Sequence, residues 1–219
     1  ADAKASAMIE AGQNQSGETP LAPVSGGFLG LFALAHLGAF IAFIPMLNLL
    51  LPLKAGQIDP AGKAVLLSQV MLWGAMAAAA TNLAAGALSD ATRGRFGRRR
   101  PWIVVGAFAV AGAHWLVFAA GDPRQLLVAV VAFQAAVNVM FGPLNAVLPD
   151  VVPGRQKGLA AALAGLALPG AGLFTAGVLA VALARMDLRF LVAGLAVPLL
   201  VLPFALSLLT LVCRPSAAS

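Results

Sequence analysis

The sequence predicts an all-α membrane protein, a bundle of six transmembrane helices with no soluble domain. Three observations predict it. First, 61% of the 219 residues are hydrophobic and only 10% charged, against about 45–50% and about 25% in soluble domains. With a mean hydropathy of +0.93, a 22.1 kDa sphere could not hide that much apolar surface from water. Second, the apolar residues gather in six blocks at about 28–50, 64–88, 101–120, 125–148, 158–183 and 190–212, none holding Asp, Glu, Lys or Arg. A bilayer core needs roughly 20 such residues in helical form. Third, the connectors between blocks are short and carry most of the charge, as membrane loops do.

Taken in order, the tail 1–27 is rich in Ser, Gly, Gln and Pro and is expected to be disordered. The first block follows that polar tail, lacks a basic flank beside it and exceeds a typical signal-peptide core, so it is expected to stay as a span. Each block is too long and too evenly apolar for a strand, and helix is the open-ended structure that lipid tolerates. Gly121-Asp122-Pro123-Arg124 joins the third and fourth spans, and the stretch from Ala184 to Arg189 joins the fifth and sixth. Connections this short force antiparallel neighbours. The fifth span is rich in Gly and Ala, which permit close helix approach, and Pro169 is expected to kink it. The sixth, rich in Leu and Val with Pro198 and Pro203, reads as a lipid-facing support. The tail 213–219 follows.

The net charge of +6 comes from 14 Lys and Arg over 8 Asp and Glu. Because it lies between apolar blocks it reads as topology, not as nucleic-acid binding. With the N-terminus cytoplasmic, inside segments carry nine Lys and Arg and outside segments five. Both termini are then cytoplasmic, and a cytoplasmic (inner) membrane is the expected location. A single cysteine, Cys213, excludes a disulfide framework. No Gly-x-Ser lies within a span and no His-Glu-x-x-His occurs. An intramembrane protease is therefore not expected, nor an enzyme of another kind.

Polar groups inside a bilayer are the default functional candidates. Gln134, Asn138 and Asn145 fall on one stripe of the fourth span at spacings of four and seven. They read either as solute ligands or as interhelical hydrogen-bonding glue, with Asn145 nearer the inner surface. His36 lies about 13 Å from the inner end of its span. It reads as a proton carrier, a solute donor or a neutral packing group. Asn82 in the second span and Asn48 near the outer end of the first complete the candidate set. His114 reads as packing, and Trp102 as an interface anchor.

The most informative stretch runs from Gly86 through Leu88-Ser89-Asp90 to Arg93-Gly94-Arg95-Phe96-Gly97-Arg98-Arg99-Arg100-Pro101-Trp102. It is a helix end, a cationic turn and a helix start. Gly94 and Gly97 permit a tight turn, Pro101 suits a first helical turn, and Asp90 can pair with arginines or a helix N-terminus. A positive-inside anchor accounts for it equally well.

This stretch resembles the loop between helices two and three of the major facilitator superfamily, with its Gly-x-Leu-Ser/Asp-Asp and Gly-Arg-Arg/Lys elements. The longer Arg95-x-Gly97-Arg98-Arg99-Arg100-Pro101 form is most similar to the glycoside–pentoside–hexuronide:cation symporters and the sucrose transporters. The segment Leu148-Pro149-Asp150-Val151-Val152-Pro153 with Lys157-Gly158 is similar to the Leu-x-Asp-x-x-Pro…Arg/Lys-Gly segment of that group. The resemblance implies the N-terminal six-helix half of a transporter that works by alternating access. It implies a small solute, with a sugar or glycoside the best match. It also implies a gate built from Gly86, Asp90, Arg95, Gly97, Arg98, Arg99, Arg100 and Asp150, with Asp90 reaching the other half.

Two departures shape the expectations. The family usually has about twelve spans, so a second six-helix half is expected, by homodimerisation or from a separate chain. The second span offers Thr81 and Asn82 where melibiose-type members carry acids. A coupling proton or sodium ion is allowed by the fold, and no other cofactor is expected. The expected partners are the lipid bilayer and a small-molecule solute. The alternatives are a non-transporting assembly or pigment-delivery factor on the same fold, or an inactive truncated half.

Overall fold

The computed structural model describes residues 22–94, 97–182 and 184–212. All regular structure among them is helical, in six rods long and apolar enough to cross a membrane. These are α1 (Gly26–Ile58), α2 (Lys63–Ala91), α3 (Arg100–Ala119), α4 (Pro123–Val151), α5 (Gly154–Ala180) and α6 (Met186–Val212). They mark the chain as a membrane protein. Most of the tail 1–27 and all of 213–219 lie outside the described residues, as does Arg95.

The helix ends follow from local chemistry. Ser25 caps α1, its Oγ accepting from Phe28 N–H at 3.2 Å, which satisfies one orphan donor of the first turn. Asp122 caps α4 by accepting from Arg124 and Gln125 N–H, both at 2.9 Å, and Pro123 takes the first helical position. Thr92 ends α2 with its Oγ1 donating to the Leu88 carbonyl at 2.7 Å. Trp102 Nε1 donates to that same hydroxyl at 2.9 Å, tying the start of α3 to the end of α2.

Two rods are irregular, at three sites, and proline accounts for the first two. In α1, residues Met46–Leu50 form a wide π-helical turn directly before Pro52. Proline has no N–H to give the carbonyl four residues back, and its ring crowds that carbonyl. In α5 the helix is interrupted at Leu166, whose N–H turns to the Leu163 carbonyl at 3.2 Å, three residues before Pro169. A further π-helical stretch, Thr175–Ala182, ends that rod. α1 is 33 residues long, about 50 Å. It overshoots a hydrocarbon core of about 30 Å, and Lys54 lies near its end. That ammonium donates to the Phe118 carbonyl in the last turn of α3 and lies 5.5 Å from the Phe118 ring centroid.

Packing runs α5–α1–α6–α3–α4–α2 around the bundle. α1 also meets α4 across the middle. α6 is more than a support: Phe190, Ala193, Val197, Val201, Phe204 and Ala205 are buried between α1 and α3. Phe204 packs on Phe28 and Phe32 at centroid distances of 5.4 and 5.6 Å. Its even Leu/Val composition concealed that one stripe is interior. The end rods of the row are different. Only 17% of the apolar window of α2, and the same share of α5, is buried, against 50% in α1 and in α4. α2 and α5 therefore leave a long face uncovered.

Candidate functional site

The α1–α4 contact is a ladder of side chains. At one rung His36 Nε2 lies 3.2 Å from Asn145 Oδ1. One turn along each helix, Phe40 and Phe141 meet edge to face at 5.4 Å. A further turn on, Asn138 Oδ1 accepts from Asn82 Nδ2 of α2 at 3.1 Å. Asn138 Nδ2 in turn donates to the Gln134 carbonyl at 2.8 Å. Spacings of about four residues on both helices keep the rungs on facing stripes.

Beside the ladder lies a cavity of about 270 Å³ lined by Phe40, Phe43, Ala78, Gln134, Val137, Asn138 and Phe141. Its wall is aromatic faces and amides, without a charged side chain. Gln134 is buried, and its Oε1 accepts no hydrogen bond among the described residues. A buried, unsatisfied carbonyl oxygen costs about 1–3 kcal/mol. Gln134 is held by close packing against α2, where a Cβ on Gly74 would sit 3.1 Å from Gln134 Cγ.

At the arginine-loop end, a second cluster ties four elements together. Arg99 is the hub. Its Nη1 pairs with Asp90 Oδ1 at 2.7 Å and donates to Ser89 Oγ at 2.9 Å. Its Nε and Nη2 both lie 3.0 Å from Asp150 Oδ2. Arg98 Nη2 reaches that oxygen as well, at 3.1 Å. Arg100 turns the other way, its Nε donating to the Ala205 carbonyl of α6 at 3.1 Å. Gly97, at φ 82°, is the one described residue with positive φ. It closes the turn through its N–H to the Gly94 carbonyl at 3.0 Å, a conformation that suits glycine. Gly86 lies within α2, with Gly142 of α4 opposite it.

The expected site residues thus fall into two groups. Asn82, Gln134 and Asn138 meet at the cavity; Asp90, Arg98, Arg99 and Asp150 meet at the loop. His36 joins the ladder through Asn145, which the sequence had placed nearer the gate. Asn48 stands apart: it is exposed on the π-helical turn of α1 and makes no hydrogen bond among the described residues. His114 is buried, its Nδ1 donating to the Val110 carbonyl at 2.9 Å, and its ring meets Phe133 edge-on at 5.2 Å. The residues missed were Phe40, Phe43 and Phe141, which form the cavity wall, and Ser89, the buried hydroxyl under Arg99. One signal could have found two of them, since Phe40 is four residues from His36 and Phe141 four from Asn145.

No protein-family model matches the chain, and no solved structure matches it significantly.

Proposed function

We propose that this chain is one half of a membrane transporter for a small neutral solute. In this reading the path runs along the α1–α4 ladder, and the arginine-loop cluster holds one end closed. The observation that carries it is the uncharged aromatic and amide cavity at Gln134 and Asn138. Phenylalanine faces and amide groups suit a solute with hydroxyls on an apolar frame, a sugar or glycoside being the best match. The resemblance of the Gly86–Trp102 stretch to major facilitator loops supports the same reading. In it the chain sits in the cytoplasmic membrane with the loop cluster inside.

The uncovered face supplies the second element. Asn82 and Asn145 are exposed in the single chain, and amides facing hydrocarbon are costly. In this reading a second six-helix unit, most simply another copy of the chain, covers that face and encloses a wet path.

The test is uptake by proteoliposomes containing only this chain, with a panel of labelled neutral sugars and glycosides. Counterflow of at least one, lost in Asn138→Leu while the protein stays folded, is the expected result. No uptake of any panel member, with the protein correctly inserted and dimeric, would refute the reading.

A further inference from the structure

At the end of the bundle away from the arginine loop, a groove lies where the end of α3 passes the start of α4. Its volume is about 410 Å³. Ala120 and Ala129 form its floor and are buried. Leu116 and Val128 form its sides and are 52% and 68% exposed. Ala119 completes an apolar lining. The three alanines fill little of the seam between the helices, which larger side chains would close. The polar lining residues, Arg124 and Gln125, both sit in the first turn of α4. Val128 and Ala129 lie four and five residues further along, about 6–8 Å deeper. The groove therefore runs along the rods, with a cation at its mouth and an apolar channel below.

The cation is unengaged. Arg124 is exposed, and its side chain makes no hydrogen bond or ion pair among the described residues. The acid beside it, Asp122, is turned onto the helix start, where its Oδ1 accepts from the Arg124 and Gln125 N–H groups. Gln125 Oε1 accepts from Gly121 N–H at 2.8 Å, which leaves its amide hydrogens for another acceptor. The positive end of the α4 dipole adds to the same field. No Asp or Glu is among the described residues that line the groove.

We propose that this groove binds one anionic phospholipid, with an acyl chain along the Ala120–Ala129 seam and the headgroup phosphate on Arg124. The guanidinium fork matches a phosphate with two parallel N–H donors. An arginine at the end of a spanning helix reaches the headgroup level, while the apolar channel below it opens to the hydrocarbon layer. A zwitterionic headgroup would bring an ammonium to a mouth whose lining offers it no acid. A lipid seated there bridges α3 and α4 beside their short connection, and so should stabilise the folded chain by mass action. The site is independent of the transport reading, and a second copy placed over α2 and α5 leaves it open.

The test is native mass spectrometry of the full chain in a non-ionic detergent, titrated with dioleoyl phosphatidylglycerol or dioleoyl phosphatidylcholine. Phosphatidylglycerol should be retained about fivefold more tightly, the worth of one arginine at an anionic surface. Arg124→Gln should abolish that preference, whereas Arg155→Gln, which removes an exposed cation of α5, should leave it intact. Ala119→Trp, at an exposed position, should fill the groove and weaken retention of both lipids. Phosphatidylglycerol carrying a diazirine within its acyl chain checks the placement without any variant, and should label the end of α3 and the start of α4. Equal retention of the two lipids would overturn the proposal. So would equal losses in Arg124→Gln and Arg155→Gln, or labelling spread evenly over all six helices. Displacement of the lipid by excess inorganic phosphate would also overturn it, by showing an anion site to which the groove adds nothing.

Discussion

Arg99 is mostly buried, its side chain 12% exposed, while its partners Asp150 and Asp90 are 30% and 60% exposed. Those fractions rank the residues of the cluster. Arg99→Ala removes contacts to both acids and to Ser89, leaving a buried hydroxyl without its donor. It should cost about 1–3 kcal/mol. Asp90→Ala removes one exposed, screened partner and should cost less than about 1 kcal/mol. Arg99→Lys should recover little, since an ammonium cannot span three acceptors as the planar fork does. Thermal unfolding in detergent, comparing the three variants, checks this order; equal losses in Asp90→Ala and Arg99→Ala would contradict it. At this scale the sequence shows that the arginines cluster between α2 and α3, with Asp90 before them and Asp150 at the end of α4. It could not show that Arg99 is the hub while Arg100 turns to α6, because neighbouring residues at a helix start point in different directions.

At the scale of elements, the helices touch where glycine removes a side chain. A Cβ on Gly106 would sit 2.7 Å from Met140 N and Cβ, whereas one on Gly86 meets nothing within 4 Å. Gly106→Ala must push α3 from α4 and should destabilise by about 1–3 kcal/mol. Gly86→Ala meets no neighbour and should stabilise by up to about 1 kcal/mol, so the pair separates close packing from backbone propensity in one unfolding experiment. The start of α5 is held in another way. Gln156 Oε1 accepts from Val24 N–H at 2.9 Å, and its Nε2 donates to the Val24 carbonyl at 3.1 Å. This amide clamps the approach to α1 against a rod that is otherwise little buried. Gln156→Ala should speed hydrogen exchange in the first turns of α5 and leave α3 unchanged; unchanged exchange in α5 would show that the clamp carries no stability. Composition revealed that α5 was rich in small residues and would bend at Pro169. It did not reveal the clamp, because a glutamine two residues into a helix has no periodic signature.

At the scale of the whole molecule, α2 and α5 each leave an apolar face largely uncovered. If a second copy covers these faces, the chain in nanodiscs should have twice the 22.1 kDa mass once lipid and scaffold are subtracted. The loop resemblance implies that Asp90 reaches the other half, at the start of its fifth helix; cysteines at Asp90 and Gly158, with Cys213 replaced by Ser, should then crosslink between copies. A monomeric mass with no crosslink would point to a different covering partner.

The sequence by itself determined the membrane class, the number of spans and the existence of a cationic turn between α2 and α3. Those features follow from hydropathy, block length and connector length, which are properties of the chain before it folds. It also placed Gln134 and Asn138 on one stripe, since helical periodicity alone does that. Only the tertiary structure decided which stripes face each other. The pairing of His36 with Asn145, of Asn82 with Asn138, and of Arg99 with both acids joins residues on different helices. Their meeting depends on rotation and crossing of whole rods, set by glycine contacts such as Gly106 on Met140. In lipid nearly every face of a rod is apolar, so hydrophobic pattern cannot choose among rotations, and close packing makes the choice.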